Sequence, residues 1–360
     1  MAEQTLVEFV AEVKGESHLR IEHDYGGGFV RLHTSEAEKR QAAQDIRSSE
    51  DIVLELLRNA KDAHANRVFI AATKDSHKRS LTVIDDGDGI PEAMHETIFM
   101  SRVTSKLDTS HKDAWGYHGR GMALFSISEN ALEARVAASG EDLGTSISVV
   151  TDTTCLPEKR DQSSFPRFLL DETGTVSVRG PKNILRTACE FAIESRNDCS
   201  IYVGSPAEIA ATLYAYGQMS LSAFDRAFCK DASALQLVKR LAVCADANDL
   251  AEQSCALGLH ISARTAQRIL NGQIEEAIPL LDLIVIEQGS TSRKSSQASR
   301  NRRIKLDKND ADELAKTMKD AFTAIAARYY LETDVDPTVR VSHNRITLSV
   351  PLIEKEGPLQ

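Results

Sequence analysis

Glu55-Leu56-Leu57-Arg58-Asn59-Ala60-Lys61-Asp62-Ala63, then Asp85-Asp86-Gly87-Asp88-Gly89-Ile90-Pro91, then Gly116-Tyr117-His118-Gly119-Arg120-Gly121: these polar signatures, in this order between Asp51 and Phe125, decide how the chain reads. Val53, Leu56, Leu57 and Ala60 recur at helical spacing with no Gly or Pro between them, so the first signature is a helix. At roughly 100° per residue, Glu55, Asn59 and Asp62 fall within about 60° of one another, opposite the apolar residues. One helix face therefore carries two carboxylates and an amide. Taken alone, such a face is an ordinary solvated one.

The second signature follows a β-rich run, Ser80 to Ile84, that breaks abruptly into acid and glycine. Glycines at alternate positions permit a sharp turn and the close approach of a ligand. The third places three glycines ahead of an apolar run, Met122 to Ile127, with helical character. Amide N–H groups at a glycine-rich loop entering a helix suit phosphate oxygens. This is not the dinucleotide fingerprint, which puts its glycines after the first strand with an acid about twenty residues on.

In this order the motifs resemble the nucleotide-binding elements of the GHKL ATPase superfamily, which covers DNA gyrase, heat-shock chaperones, histidine kinases and MutL. Within it the chain is most similar to MutL and the type IIB topoisomerase B subunits, with Thr104-Ser105-Lys106 placed as in the MutL nucleotide lid. Gly174-Thr175-Val176-Ser177-Val178 lies where MutL proteins have a Gly-Thr strand closing the pocket. The resemblance covers about residues 40 to 205.

The resemblance implies ATP and Mg2+ as cofactors. By it, Glu55 is the general base that activates the attacking water and Asn59 the amide ligand of the magnesium ion. Asp85 is the carboxylate that accepts a hydrogen bond from the adenine amino group. Gly87 and Gly89 let the strand end pass under the base, and Gly119 and Gly121 offer N–H groups to the phosphates. Lys106 is a lid cation and Thr175 a hydroxyl near the base. The motif neighbours Asp62, Ile90, Gly116, His118, Arg120 and Met122 complete the implied nucleotide contacts. The glycine loop is nearer the gyrase form than the MutL form, and Asp86 stands where the family usually has Asn. The chemistry is coherent on its own terms, because phosphoanhydride hydrolysis needs positioning and charge neutralisation more than covalent help.

The chain has 360 residues, 42% of them hydrophobic, enough for two domains with real cores. A formal net charge of −10 argues against a surface coated for nucleic acid, so any DNA contact is local. Cys155, Cys189, Cys199, Cys229, Cys244 and Cys255 show no Cys-x-x-Cys spacing and read as reduced thiols of a cytoplasmic protein. No apolar run reaches eighteen residues, so no membrane span is expected.

The expected fold class is α/β (α+β). It is a GHKL, or Bergerat, two-layer sandwich of mixed β-sheet and helices, followed by a mainly helical region and a short C-terminal αβ segment. Residues 1–40 form a lead-in. Within it Tyr25-Gly26-Gly27-Gly28-Phe29 suggests a hairpin turn, and Tyr25 either packs or straps across a dimer partner. Residues 41–205 are the ATP-binding domain and 206–289 a helical domain. In the latter, Asp249 to Gly272 resembles a helix-turn-helix unit, with Ser262 as cap and Arg264, Gln267 and Arg268 presented outward; the alternative is an ordinary helical hairpin, since the spacing between its helices is longer than a tight DNA-binding turn. Residues 290–308 form a basic loop, read as a solvated linker, as a phosphate-tracking arm, or as the source of a lysine (Lys294 or Lys305) for the γ-phosphate. Residues 309–360 are a helix and a strand pair.

Two functions follow. One is an ATP-gated homodimer acting in a DNA transaction. The other is a nucleotide-dependent chaperone-like or signalling switch that binds a protein partner.

Overall fold

The computed structural model describes residues 21–351 except 27, 105–110, 114–115, 119–120, 171–175, 230, 289–307, 327, 330–331 and 342–345. Two compact units divide the chain at Gly289 and Ser290. In the first, a mixed five-stranded sheet has the order Ser200–Gly204, Arg67–Asp75, Lys78–Asp85, Gly144–Asp152, Glu133–Gly140. Ser200–Gly204 runs parallel to Arg67–Asp75, and the other neighbours are antiparallel.

The Ser49–Asp62 helix starts at Ser48, whose hydroxyl accepts the Asp51 N–H at 3.3 Å, with Glu50 and Asp51 in the first turn complementing the helix dipole. Its apolar face, with Ile52, Val53, Leu56, Leu57 and Ala60, packs with the Ile184–Glu194 helix and with Val68, Ile70, Leu81, Val83, Ile147 and Val149 of the sheet. That core holds the polar face of Glu55, Asn59 and Asp62 in one orientation, because a helix that buries one stripe cannot rotate.

The mixed sheet with helices is as expected, but its second face is covered too. Phe69, Ala71 and Ile84 point away from the Glu55 helix and pack with Ile209, Leu213, Leu237, Leu241, Leu250, Leu257 and Ile269. The helices Pro206–Ser220, Ala247–Ala256 and Ala263–Leu270 therefore belong to the same compact unit and make a third layer. This layer is hidden in the sequence because the sheet meets it partly through hydroxyls. Thr82 donates to the Gly258 carbonyl at 2.9 Å and Ser146 to the Leu257 carbonyl at 2.7 Å, both buried. Alternating Thr and Ser residues read as a solvent face; here each finds a carbonyl and is buried without an unmet partner.

The helical pair in Asp249 to Gly272 is fixed by these bonds, and Ser262 caps its second helix through the Thr265 N–H at 3.2 Å. Arg264, Gln267 and Arg268 are exposed.

Phe29–Leu32 pairs with Ile21–Gly26 as a hairpin and, on its other side, with Val103–Thr104. Tyr25 and Phe29 pack on Met94, Ile98 and Val103 of their own chain. The second unit comprises the Lys308–Ala326 helix and the antiparallel strands Thr338–Val341 and Ile346–Ser349. Phe322, Ala326 and Val335 form its core, and Lys319 bridges Asp334 and Asp336 at 2.7 and 2.9 Å. Lys294 and Lys305 lie outside the described residues. No helix among the described residues is long and apolar enough to cross a membrane.

Candidate active site

A cavity of about 210 Å³ is lined by Glu55, Arg58, Asn59 and Asp62 of the first helix, Asp85 and Thr145 of neighbouring strands, and Asp88, Gly89 and Ile90 of the glycine turn. Phe29 from the N-terminal hairpin and Ile98, Val103, Gly121 and Leu124 complete its apolar wall.

Asp85 ends its strand directly opposite Thr145 in the antiparallel ladder. Its carboxylate accepts the Gly87 N–H at 2.9 Å and the Thr145 N–H. Burial pushes its pKa up from 3.8 to about 7, with Asp86 and Asp88 adding to the rise and the two N–H donors opposing it. A buried acceptor kept at the edge of ionisation is suited to a ligand that brings its own donor.

Glu55 is ion-paired with Arg58 one helical turn on, through Oε1 and Nη1. The Nδ2 atom of Asn59 is buried and has no hydrogen-bond partner, an unspent amide at the cavity wall. The O and N ends of an amide are interchangeable by a flip, so this side chain can present oxygen to a cation equally well. A lone amide oxygen beside carboxylates is a donor set that hard magnesium accepts while retaining its waters. Asn59, with the carboxylates that line the same wall, offers oxygen of the kind this ion takes.

The glycine turn is stitched to the opposite hairpin. Ile90 donates to Ser139 Oγ at 2.8 Å, and Ser139 Oγ donates to the Gly144 carbonyl at 2.8 Å. A Cβ at Gly89 would collide with the Gly140 carbonyl oxygen, and one at Gly144 with the Asp85 carbonyl oxygen; both have positive φ, +80° and +87°. Gly144→Ala is expected to lower stability by roughly 3 kcal/mol or more, read as a drop in the urea midpoint, because strain and a backbone clash add.

Asp86, the departure from the family pattern, is not among the residues that line the cavity. Its Oδ1 accepts the Asn66 and Arg67 N–H groups at 2.8 and 2.7 Å, and Oδ2 meets Arg67 Nη1 at 3.3 Å. A carboxylate is a strong acceptor for such a backbone pair. Asp88 meets His64 Nδ1 at 2.8 Å.

The third signature is only partly loop. Gly116–His118 is a strand paired with His111–Asp113, while Gly121 lines the cavity and Met122 precedes the Ala123–Asn130 helix. Lys106, Gly119, Arg120, Gly174 and Thr175 lie outside the described residues. The strand after Thr175, Val176–Arg179, pairs with Arg167–Leu170 in a separate sheet, away from the ladder that carries Asp85. The hydroxyl residue next to Asp85 is Thr145, preceded by Gly144. Nothing in the dipeptide itself separates this Gly-Thr pair from Gly174-Thr175, and neither Arg58 nor Phe29 is among the motif residues that mark the cavity. Arg58 sits at the i+3 position from Glu55, a spacing that permits an ion pair, whereas nothing local to Phe29 points at the cavity.

Residues 46–149 match the sequence family described as histidine kinase-, DNA gyrase B-, and HSP90-like ATPase. This stretch is similar to ATP-binding domains of the GHKL type. The chain is also similar to DNA mismatch repair protein MutL of Lactiplantibacillus plantarum, at 40% identity over 124 residues, or 34% of this chain and 18% of that protein. MutL of Parabacteroides distasonis is 38% identical over 112 residues, 30% of this chain and 18% of that protein. The chain thus spans about a fifth of the length of these relatives. A solved structure, the mycobacterial sensor histidine kinase MprB, aligns with a TM-score of 0.22 at 19% identity, over 34% of this chain and 75% of that one.

Proposed function

We propose that the cavity binds Mg·ATP and hydrolyses it, and that the chain is an ATP-gated dimer acting on DNA. The observation that carries the nucleotide reading is the convergence of Glu55, Asn59 and Asp85 on one cavity from a helix and a strand far apart in sequence. Asp85 accepts the adenine amino hydrogen, Thr145 stands beside it, and Gly121 marks the helix entrance where phosphate oxygens meet N–H groups. Glu55 takes the proton of the water that attacks the γ-phosphorus as the bond to the β-phosphate oxygen breaks. Asn59 holds the magnesium ion, whose charge offsets that of the phosphates. Such a counter-ion is needed, since Glu55, Asp62, Asp85 and Asp88 make the described wall strongly acidic. Lys106 is proposed as the lid cation, and Gly119 and Arg120 as nucleotide contacts.

The DNA role is supported by the likeness to mismatch repair MutL proteins, which lies in the ATP-binding stretch. The exposed Arg264 and Arg268 are its local candidates. The test is calorimetric titration with ATP with and without Mg2+, followed by turnover with and without duplex DNA. Expected are one site per chain, tighter binding with Mg2+, and DNA stimulation lost as salt rises. Binding without DNA stimulation would favour the protein-partner reading, for which the exposed Met219, Phe224 and Phe228 offer an apolar surface. Chain mass with a non-hydrolysable ATP analogue, compared with the nucleotide-free mass, tests the dimer gate.

A further inference from the structure

We infer that Arg58 is the positioning residue for Glu55, holding the carboxylate of the proposed base against the cavity wall; the inference rests on the reading of Glu55 given above. Both side chains line the cavity, and Nη1 of Arg58 donates to Oε1 of Glu55. The arginine side chain is 8% exposed and the glutamate 21%, so the contact sits largely out of water, where a charge-assisted hydrogen bond is strong.

The charge around the pair gives the contact its purpose. Among the described residues lining the cavity, Arg58 is the one cation, in a lining that also holds Glu55 and Asp62 on its own helix, Asp85 on the adjoining strand and Asp88 on the glycine turn. Without the guanidinium, three neighbouring carboxylates would drive Glu55 outward, away from the water it must reach. Because Glu55 and Arg58 are three residues apart on one helix, the pair forms with the helix and precedes nucleotide binding. A base oriented in advance needs no reorganisation during the reaction. Arginine suits the task better than lysine, as its planar fork is fixed in direction and always charged.

The test measures turnover and nucleotide affinity for Arg58→Met and Arg58→Lys, each in the native and in the Glu55→Gln background. Arg58→Met is expected to lower kcat about 10- to 100-fold, with the Kd of a non-hydrolysable ATP analogue within about threefold of the parent, and Arg58→Lys to recover part of the loss. In the Glu55→Gln background the same change should cost nothing further, since a residue that acts only through the carboxylate has no target left. An equal loss in both backgrounds, or weakened affinity with kcat intact, would overturn the inference and assign Arg58 to the phosphates or to the scaffold. Should Met at this position prevent folding, Arg58→Gln makes the same comparison. Normal turnover in Glu55→Gln alone removes the base reading itself and the inference with it, so the two failures are distinguishable.

Discussion

Glu55→Gln is expected to keep ATP affinity and to lose roughly 100-fold or more in turnover, the scale on which a positioned general base contributes. Asn59, Asp85 and the glycine turn reach the cavity independently of this side chain, so binding survives. Affinity should hold or rise slightly, because one of four carboxylates around a polyanion is neutralised. Gln is the better replacement than Ala, since it leaves an oxygen for the buried Arg58 guanidinium. Glu55→Ala would remove the contact with Arg58 as well as the carboxylate, and the accompanying stability loss would confuse the result. Phosphate release at saturating ATP, measured beside calorimetric binding of a non-hydrolysable analogue, separates the two parameters. Turnover within a few-fold of the parent would take the base role from Glu55.

Asp85→Asn should weaken ATP binding roughly 10- to 100-fold and, at the same time, stabilise the nucleotide-free protein above neutral pH. The first effect follows from replacing a charged acceptor for the adenine amino group by a neutral amide. The second follows from linkage. The unfolded carboxyl titrates near 3.8 and the folded one at about 7, so below 3.8 both states are protonated and the group costs nothing. Between those values the unfolded chain releases the proton more readily, and stability falls as pH rises. Above about 7 the full cost is present, on the order of 4–5 kcal/mol at ~1.4 kcal/mol per pH unit. Asn does not ionise, and its oxygen can still accept the Gly87 and Thr145 N–H groups. The midpoint difference between variant and parent should therefore be positive at pH 8 and vanish toward pH 4. A difference that did not change with pH would mean that Asp85 is not the titrating group. In the parent protein, ATP affinity should drop about five- to sixfold between pH 7 and pH 6, as Asp85 takes up its proton before the ligand arrives.

The helix of Glu55, Asn59 and Asp62 was legible from periodicity, because an amphipathic helix writes its buried stripe at regular intervals and its polar face is what remains. The turn at Asp85 to Ile90 was legible from its glycines, whose backbone leaves no room for a side chain at Gly89. The strand ahead of that turn followed from the β-rich run Ser80 to Ile84, and the order of the signatures pointed to the family whose model matches residues 46–149. Thr145 illustrates the limit. A Gly-Thr pair occurs twice in the chain, and only the ladder between Lys78–Asp85 and Gly144–Asp152 puts one of them opposite Asp85.

Local sequence thus determined which groups could do chemistry and on which element each one stands, since helix and strand periods act over a few residues. Tertiary structure alone decided that Phe29 walls the cavity, that Arg58 is its described cation beside Glu55, and that hydroxyls on the far face of the sheet bond the carbonyls of Leu257 and Gly258. Those choices depend on contacts between segments tens to more than a hundred residues apart, or on which wall of a cavity a side chain meets, and neither leaves a periodic trace in the chain.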